Sequence, residues 1–405
     1  MSTLFRLCRT GMMTIAWIMV LPCLFILFGA VVPIIPWFRI YALGVVPNHT
    51  SWLFLWAIAA LLIGLLANSL HRSPVALAIV ATATVTLLAT TGVMLHLLYV
   101  AQSNGARINV VRALDLREVR DGARPDESRI YSRPTGEDLW LDIYHPAQTP
   151  PGGLSPVLIA VHGGGFFQGS RSFGAANQRW FADHGWTVIS IDYRLARDDR
   201  PTWDLATRDV QCALAWTAAN AAELRIDLDR VTLSGGSAGG SLAMTAGYLA
   251  DAKRTDPACG PAIPHVAVVI AKAPLIDVIG SYYYPGELRD EQRSYLTRYI
   301  GGSPRDYPDR YAAIDLRHFQ FPSNPPTLIL GGASDPILPA EAGTDFMRKA
   351  NAAGLEVHQI LFPYSGHDFN TTYNSITNQA MRQIIAQFIV DRKAGPKLPG
   401  LTFTD

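Results

Sequence analysis

Three long apolar runs open the chain, at residues 12–32, 52–68 and 75–101. Crossing a bilayer takes roughly 20 apolar residues, with about 17 to 25 accepted. None of the runs carries the polar face that a core helix of a water-soluble domain shows, so the pattern predicts three transmembrane helices. Pro33 and Pro36 close the first run, and Asn48-His49-Thr50 and His71-Arg72-Ser73-Pro74 form polar connectors. Residues 102–128 read as a polar linker. Beyond it, short apolar strands alternate with helices. Strands are predicted at 139–144, 157–161, 188–191, 231–233, 266–270, 327–330 and 357–362, and helices at 203–222, 241–252, 340–353 and 379–392. Mainly apolar strands, most of them followed by a helix, predict an α/β domain with a mostly parallel sheet covered on both faces. The resulting division is an anchor over 1–101, a linker over 102–128, a folded domain over 129–395 and a tail over 396–405.

Charge sharpens that division. Residues 1–101 hold only Arg6, Arg9, Arg39 and Arg72 as charged side chains, which leaves 33 acids and 30 bases for the rest. A net of −3 on that part, with no basic stripe, argues against a nucleic-acid partner. Arg6 and Arg9 precede the first run as in a signal peptide. The run is long for one, lacks an A-x-A cleavage site and is followed by further runs, so a retained anchor is expected. His96 is the one readily ionisable residue within the runs, which gives a proton or ion path little to work with. The first flank and the 69–74 connector hold three arginines against Arg39 alone in the 33–51 connector. That excess places the N-terminus in the cytoplasm and, after three spans, the folded domain outside. The cysteines Cys8, Cys23, Cys212 and Cys259 show no CxxC, no Cys/His cluster and no paired spacing, and they read as buried free thiols without zinc.

The chemistry concentrates at strand ends. Residues 234–241 read SGGSAGGS directly after the strand 231–233, and Ser237 sits where strand turns into helix. Gly235 and Gly239 flank it as G-x-S-x-G, a spacing that clears room for a sharp turn lifting the hydroxyl out of the sheet. Alone, the motif is weak. A second bare stretch, His162-Gly163-Gly164-Gly165-Phe166-Phe167, follows the strand 157–161 and offers backbone N–H groups suited to a developing oxyanion. It matches neither phosphate-loop pattern. A serine nucleophile also needs a base and an orienting acid. His367, in Tyr364-Ser365-Gly366-His367-Asp368-Phe369, and Asp335, in Gly331-Gly332-Ala333-Ser334-Asp335-Pro336, each follow a strand. The order Ser, Asp, His is that of α/β hydrolases.

With these residues in view, the chain resembles the hormone-sensitive-lipase-like and BD-FAE-like carboxylesterases of the α/β-hydrolase superfamily over roughly residues 129–392. The resemblance rests on HGGGFF at 162–167, DYRLA at 192–196, IDLDRVTLSGGSAGGSLA at 226–243, PTLILGGASDPI at 326–337 and YSGHDF at 364–369. It implies an α/β-hydrolase fold after the N-terminal transmembrane region, with Ser237 as nucleophile, His367 as base and Asp335 as orienting acid. The oxyanion would rest on the N–H groups of Gly164, Gly165 and Ala238. The chain departs from many members at Gly236, where they carry Asp, at Asp368, where they carry Gly, and at Ala196-Arg197-Asp198 in place of APE. It also lacks their long N-terminal cap. Residues 275–322, with Tyr282-Tyr283-Tyr284, could form a small lid.

The expected activity is hydrolysis of a small-molecule or lipid carboxylic ester at a membrane, with no cofactor and no metal. An amidase or peptidase using the same triad, and a non-catalytic surface binding protein on this fold, are the alternatives. Asp345 and Asp368 are the rivals of Asp335. Asp345 falls inside a predicted helix, and Asp368 adjoins His367, so that its side chain points away in extended backbone.

Overall fold

The computed structural model describes residues 3–32, 35–115, 123–148, 153–255, 257–260, 263–397 and 402–403. Pro33, residues 116–122 of the expected linker and most of the expected tail lie outside them. Three helices come first: α1 (Thr3–Val31), α2 (Pro36–Leu70) and α3 (Pro74–Ser103). All three are long and apolar enough to cross a membrane.

The helix α2 corrects the sequence reading. Residues 36–51, expected as a connector, are helical and make α2 35 residues long. Pro36 at the first turn is favourable there, because its missing N–H has no helical acceptor to lose. Pro47 and Asn48 kink the helix without ending it, and His49 alone leaves helical geometry, at φ −132°, ψ 18°. At 1.5 Å per residue α2 is about 52 Å long, against a hydrocarbon layer of roughly 30 Å. The excess is close to the length of the stretch before the kink.

The expected linker is also docked rather than free. The N–H of Arg107 donates to the side chain of Gln383 at 2.7 Å, and that of Asn109 to Gln379 at 2.9 Å. Both glutamines donate back to the same two residues' carbonyls, at 3.0 and 3.1 Å. Buried amides make such pairing close to obligatory.

The remaining elements are β1 (Glu127–Ser132), β2 (Leu139–Tyr144), β3 (Ser155–Val161), α4 (Ala175–Asp183), β4 (Thr187–Ile191), α5 (Ala206–Ala219), β5 (Ile226–Gly236), α6 (Ala238–Asp251), β6 (Val268–Lys272), α7 (Val278–Tyr283), α8 (Arg289–Ile300), α9 (Pro308–Ile314), β7 (Thr327–Gly332), α10 (Ala340–Ala352), β8 (Val357–Phe362) and α11 (Ile376–Asp391). One eight-stranded sheet runs β1-β2-β4-β3-β5-β6-β7-β8. The β1–β2 and β2–β4 ladders are antiparallel, so β2 alone runs against the rest; the ladders from β4 to β8 are parallel.

Alternation along the strands divides the core in two. Val157, Ile159, Leu233, Val269 and Ile329 face Val210 and Leu214 of α5, Leu242 of α6 and Phe346 of α10. Leu158, Val188, Val268, Ile270 and Leu328 face the other way, onto Trp180 of α4 and Ile385 of α11. That second layer continues without a break into Leu43 and Val46 of α2 and Val93 and Leu97 of α3. The N-terminal helices therefore share a core with the sheet.

One further reading changes. Cys212 and Cys259, expected as free thiols, form a disulfide. A helix and a loop 47 residues apart carry no spacing signal, and only folding brings them within reach. Residues 275–322 fold as α7, α8 and α9, inserted between β6 and β7.

Candidate active site

Ser237 lies between β5 and α6 with φ +52° and ψ −122°, a strained conformation for a residue with a side chain. The glycines around it serve close approach. A Cβ on Gly235 would strike the carbonyl oxygen of Gly239, and one on Gly239 the carbonyl oxygen of Val161. The Ser237 N–H donates to the carbonyl of Lys272 at 2.7 Å, tying the elbow to β6. Gly236, where the resemblance would have Asp, leaves its space to Lys272, whose Cε would sit 3.6 Å from a Cβ there. Burial pulls the Lys272 ammonium down to about 8.

Strand ends bring the other two groups to Ser237. His367 follows β8, and its Nε2 lies 3.0 Å from Ser237 Oγ. Its Nδ1 lies 2.7 Å from Oδ2 of Asp335, which follows β7. A carboxylate only accepts, so Nδ1 carries the proton and Nε2 presents a lone pair to the serine hydroxyl. The other Asp335 oxygen accepts the N–H groups of Ile337 and Leu338 at 2.8 and 3.0 Å, so the carboxylate is held from both sides. Its side chain is only 2% exposed. Burial works against an imidazolium at His367, but the Asp335 charge and hydrogen bond outweigh it and raise the pKa. The rivals stay outside. Asp345 is half-exposed and paired with Arg348 and Lys349, and Asp368 is exposed.

The glycine stretch packs against the elbow, since a Cβ on Gly163 would lie 2.9 Å from the carbonyl oxygen of Gly236. Gly164, at φ +111°, takes a backbone conformation that other residues rarely adopt. Ala238 opens α6, where an N–H has no intrahelical acceptor. His162 stacks on Tyr193 with ring centroids 4.3 Å apart, donates through Nδ1 to the Gly163 carbonyl at 2.7 Å, and is held below its usual pKa by burial. The Tyr193 hydroxyl donates to the His162 carbonyl at 3.2 Å. Its neighbour Arg194 is fixed by Asp209 of α5 at 2.6 Å. DYRLA thus braces HGGGFF. The insert closes over the same stretch, with Phe166 stacked on Tyr299 and Phe167 against Tyr295. Tyr282 packs edge-on against the buried Tyr311.

Two contributors escaped the sequence reading. Leu43 and Asn48 of α2 contact the loop that carries His367. The available signal was an asparagine just after a proline within apolar surroundings, where an amide is costly unless bonded. Among the described residues no cluster of three or more His, Cys, Asp or Glu could hold a metal ion.

A mostly parallel sheet in which β2 alone runs the other way, carrying a Ser–His–Asp cluster at its carboxyl ends, defines an α/β-hydrolase fold. The BD-FAE family model matches residues 141–350, more than half of the chain, and the protein belongs to that family. It is similar to Esterase LipQ of Mycobacterium tuberculosis, 26% identical over 63% of this chain and 60% of that protein. Esterase LipC of the same organism is 29% identical over 57% of each. The ethyl acetate hydrolase of Pseudomonas putida is 29% identical over 58% of this chain and 72% of that one. The chain thus spans about three fifths of the length of the mycobacterial relatives. Among solved structures, Thermogutta terrifontis esterase 2 with bound propionate shares the fold, with a TM-score of 0.55 at 24% identity over 70% of this chain and all of that one.

Proposed function

We propose that the protein is a membrane-anchored serine hydrolase of carboxylic esters. The observation that carries the reading is the continuous Ser237–His367–Asp335 hydrogen-bond chain. His367 Nε2 takes the Ser237 proton as Oγ attacks the ester carbonyl carbon. The carbonyl oxygen, now negative, is received by the N–H groups of Gly164, Gly165 and Ala238. Collapse expels the alcohol, which takes the proton from His367, and leaves an acyl group on Ser237. Water, deprotonated by His367, attacks that acyl carbon, and the serine departs with the proton as the acid is released. The esterase names of the relatives support an ester rather than an amide.

The anchor reading rests on α1, α2 and α3 as spans. α1 and α3 end, and α2 begins, on the side of the sheet domain, as three spans with an opposite N-terminus require. At the far end the Arg9 guanidinium donates to Ser73 Oγ at 2.6 Å and to the His71 carbonyl at 2.9 Å. The basic flanks thereby meet on one side, as expected for the cytoplasmic face. The Cys212–Cys259 disulfide suits an oxidising compartment for the other side.

Labelling by a fluorophosphonate probe, read together with p-nitrophenyl butyrate turnover, tests the reading. The wild type is expected to show both and Ser237→Ala neither. Near-full turnover by Ser237→Ala would overturn it.

A further inference from the structure

We infer that the kink of α2 is a working part of the active site, in which Asn48 and the Leu43 carbonyl act as positioning groups for His367. The inference rests on the hydrolase reading above. It begins with a missing proton. In a regular helix the carbonyl of residue 43 accepts the N–H of residue 47, and here residue 47 is proline, which has none. The freed Leu43 carbonyl accepts instead the N–H of Gly366, the residue before His367, at 3.1 Å. Glycine permits the approach, because a Cβ at 366 would lie 3.1 Å from the Leu43 Cβ.

Asn48 holds the other side of the histidine. It is 3% exposed, and its Nδ2 donates to the carbonyl of Asp368 at 2.7 Å. Nδ2 also donates to the Gly44 carbonyl at 2.8 Å, and Oδ1 accepts the N–H of Thr372 at 3.0 Å. The carbonyl of Pro47 accepts the Thr377 hydroxyl at 3.2 Å. Residues 366 and 368, immediately flanking His367, are therefore both hydrogen-bonded to one turn of α2. Nearer its start, Arg39 of α2 pairs with Glu287 at 2.7 Å, just before the helix whose Tyr299 stacks on Phe166 and whose Tyr295 packs tilted against Phe167. The first half of α2, surplus to any membrane crossing, is thus bonded both to the loop that carries His367 and to the segment that precedes α8.

Two substitutions separate positioning from folding. Asn48→Leu removes the side-chain bonds while keeping the number and branching of the side-chain heavy atoms. Pro47→Ala supplies an N–H that recaptures the Leu43 carbonyl and improves the helix itself. Displacements of about 1 Å at a catalytic group cost up to about 10²-fold. For both variants, in the full chain in detergent, kcat for p-nitrophenyl butyrate should fall about ten- to a hundredfold with KM little changed. The acid midpoint of kcat/KM should also move to lower pH, because a loosened His367 loses part of the Asp335 charge that raises its pKa. For Pro47→Ala this should occur without a lower thermal midpoint, an outcome that a purely structural role would not produce. If Ser237→Ala abolishes turnover while both variants keep wild-type kcat and pH midpoint, the positioning role is wrong and the hydrolase reading stands. If the wild type is neither labelled nor active, both fall.

Discussion

Replacing Asp335 by Asn should change the state of His367 while leaving every atom position available. In the wild type one Asp335 oxygen accepts two backbone N–H groups, from Ile337 and Leu338, and the other accepts His367 Nδ1–H at 2.7 Å. An asparagine must keep its oxygen on the two amides, since two donors cannot face its NH2 group. The NH2 then faces His367 Nδ1 and can only donate to it. That fixes the proton on Nε2, which now points a hydrogen at Ser237 Oγ and cannot accept the serine proton. A triad locked in the wrong tautomer loses about 10⁴-fold in kcat, or about 5.4 kcal/mol at 1.36 kcal/mol per tenfold. Asp368→Asn leaves the exposed side chain neutral and keeps the backbone carbonyl that Asn48 binds, so kcat should stay within about twofold of wild type. Steady-state kcat on p-nitrophenyl butyrate, with the rate of fluorophosphonate labelling beside it, measures both. An Asp335→Asn variant within tenfold of wild type, or an Asp368→Asn variant that is the more damaged of the two, would refute the assignment.

Other outcomes follow from the same geometry. His367 must be neutral to accept the serine proton and its pKa is raised above 6.5, so kcat/KM should fall on the acid side with a midpoint above 6.5; a lower midpoint in the wild type would contradict the Asp335 contact. Replacing Cys212 and Cys259 together by Ser frees a 47-residue separation, worth about 4 kcal/mol by loop-closure entropy; denaturant unfolding should show a loss of about 2 to 4 kcal/mol, and an unchanged midpoint would mean the bridge does not form. Alkaline phosphatase fused at the C-terminus should be active and green fluorescent protein dark; the reverse pair would return the sheet domain to the cytoplasm.

The sequence by itself determined the strands at 139–144 and 357–362 to the residue, because each is a short stretch dominated by apolar, β-branched or aromatic residues and bounded by turn-forming residues. It also singled out Ser237, His367 and Asp335, since each follows such a run and the glycines beside Ser237 leave the serine as the one side chain for a sharp turn. Other features were invisible to it. The edge strand β1, Glu127–Ser132, carries mostly polar residues and is a strand only because β2 lies beside it. Cys212 and Cys259 became a pair only when α5 was laid against the loop after α6. Asn48 read as part of a polar connector, because local pattern registers a polar amide between apolar runs but not what will meet it. The tertiary structure brings up Asp368 and Thr372, more than 300 residues away, as the partners. Local pattern fixes where backbone groups are satisfied within an element; the groups that an element leaves unsatisfied find their use only in the assembled fold.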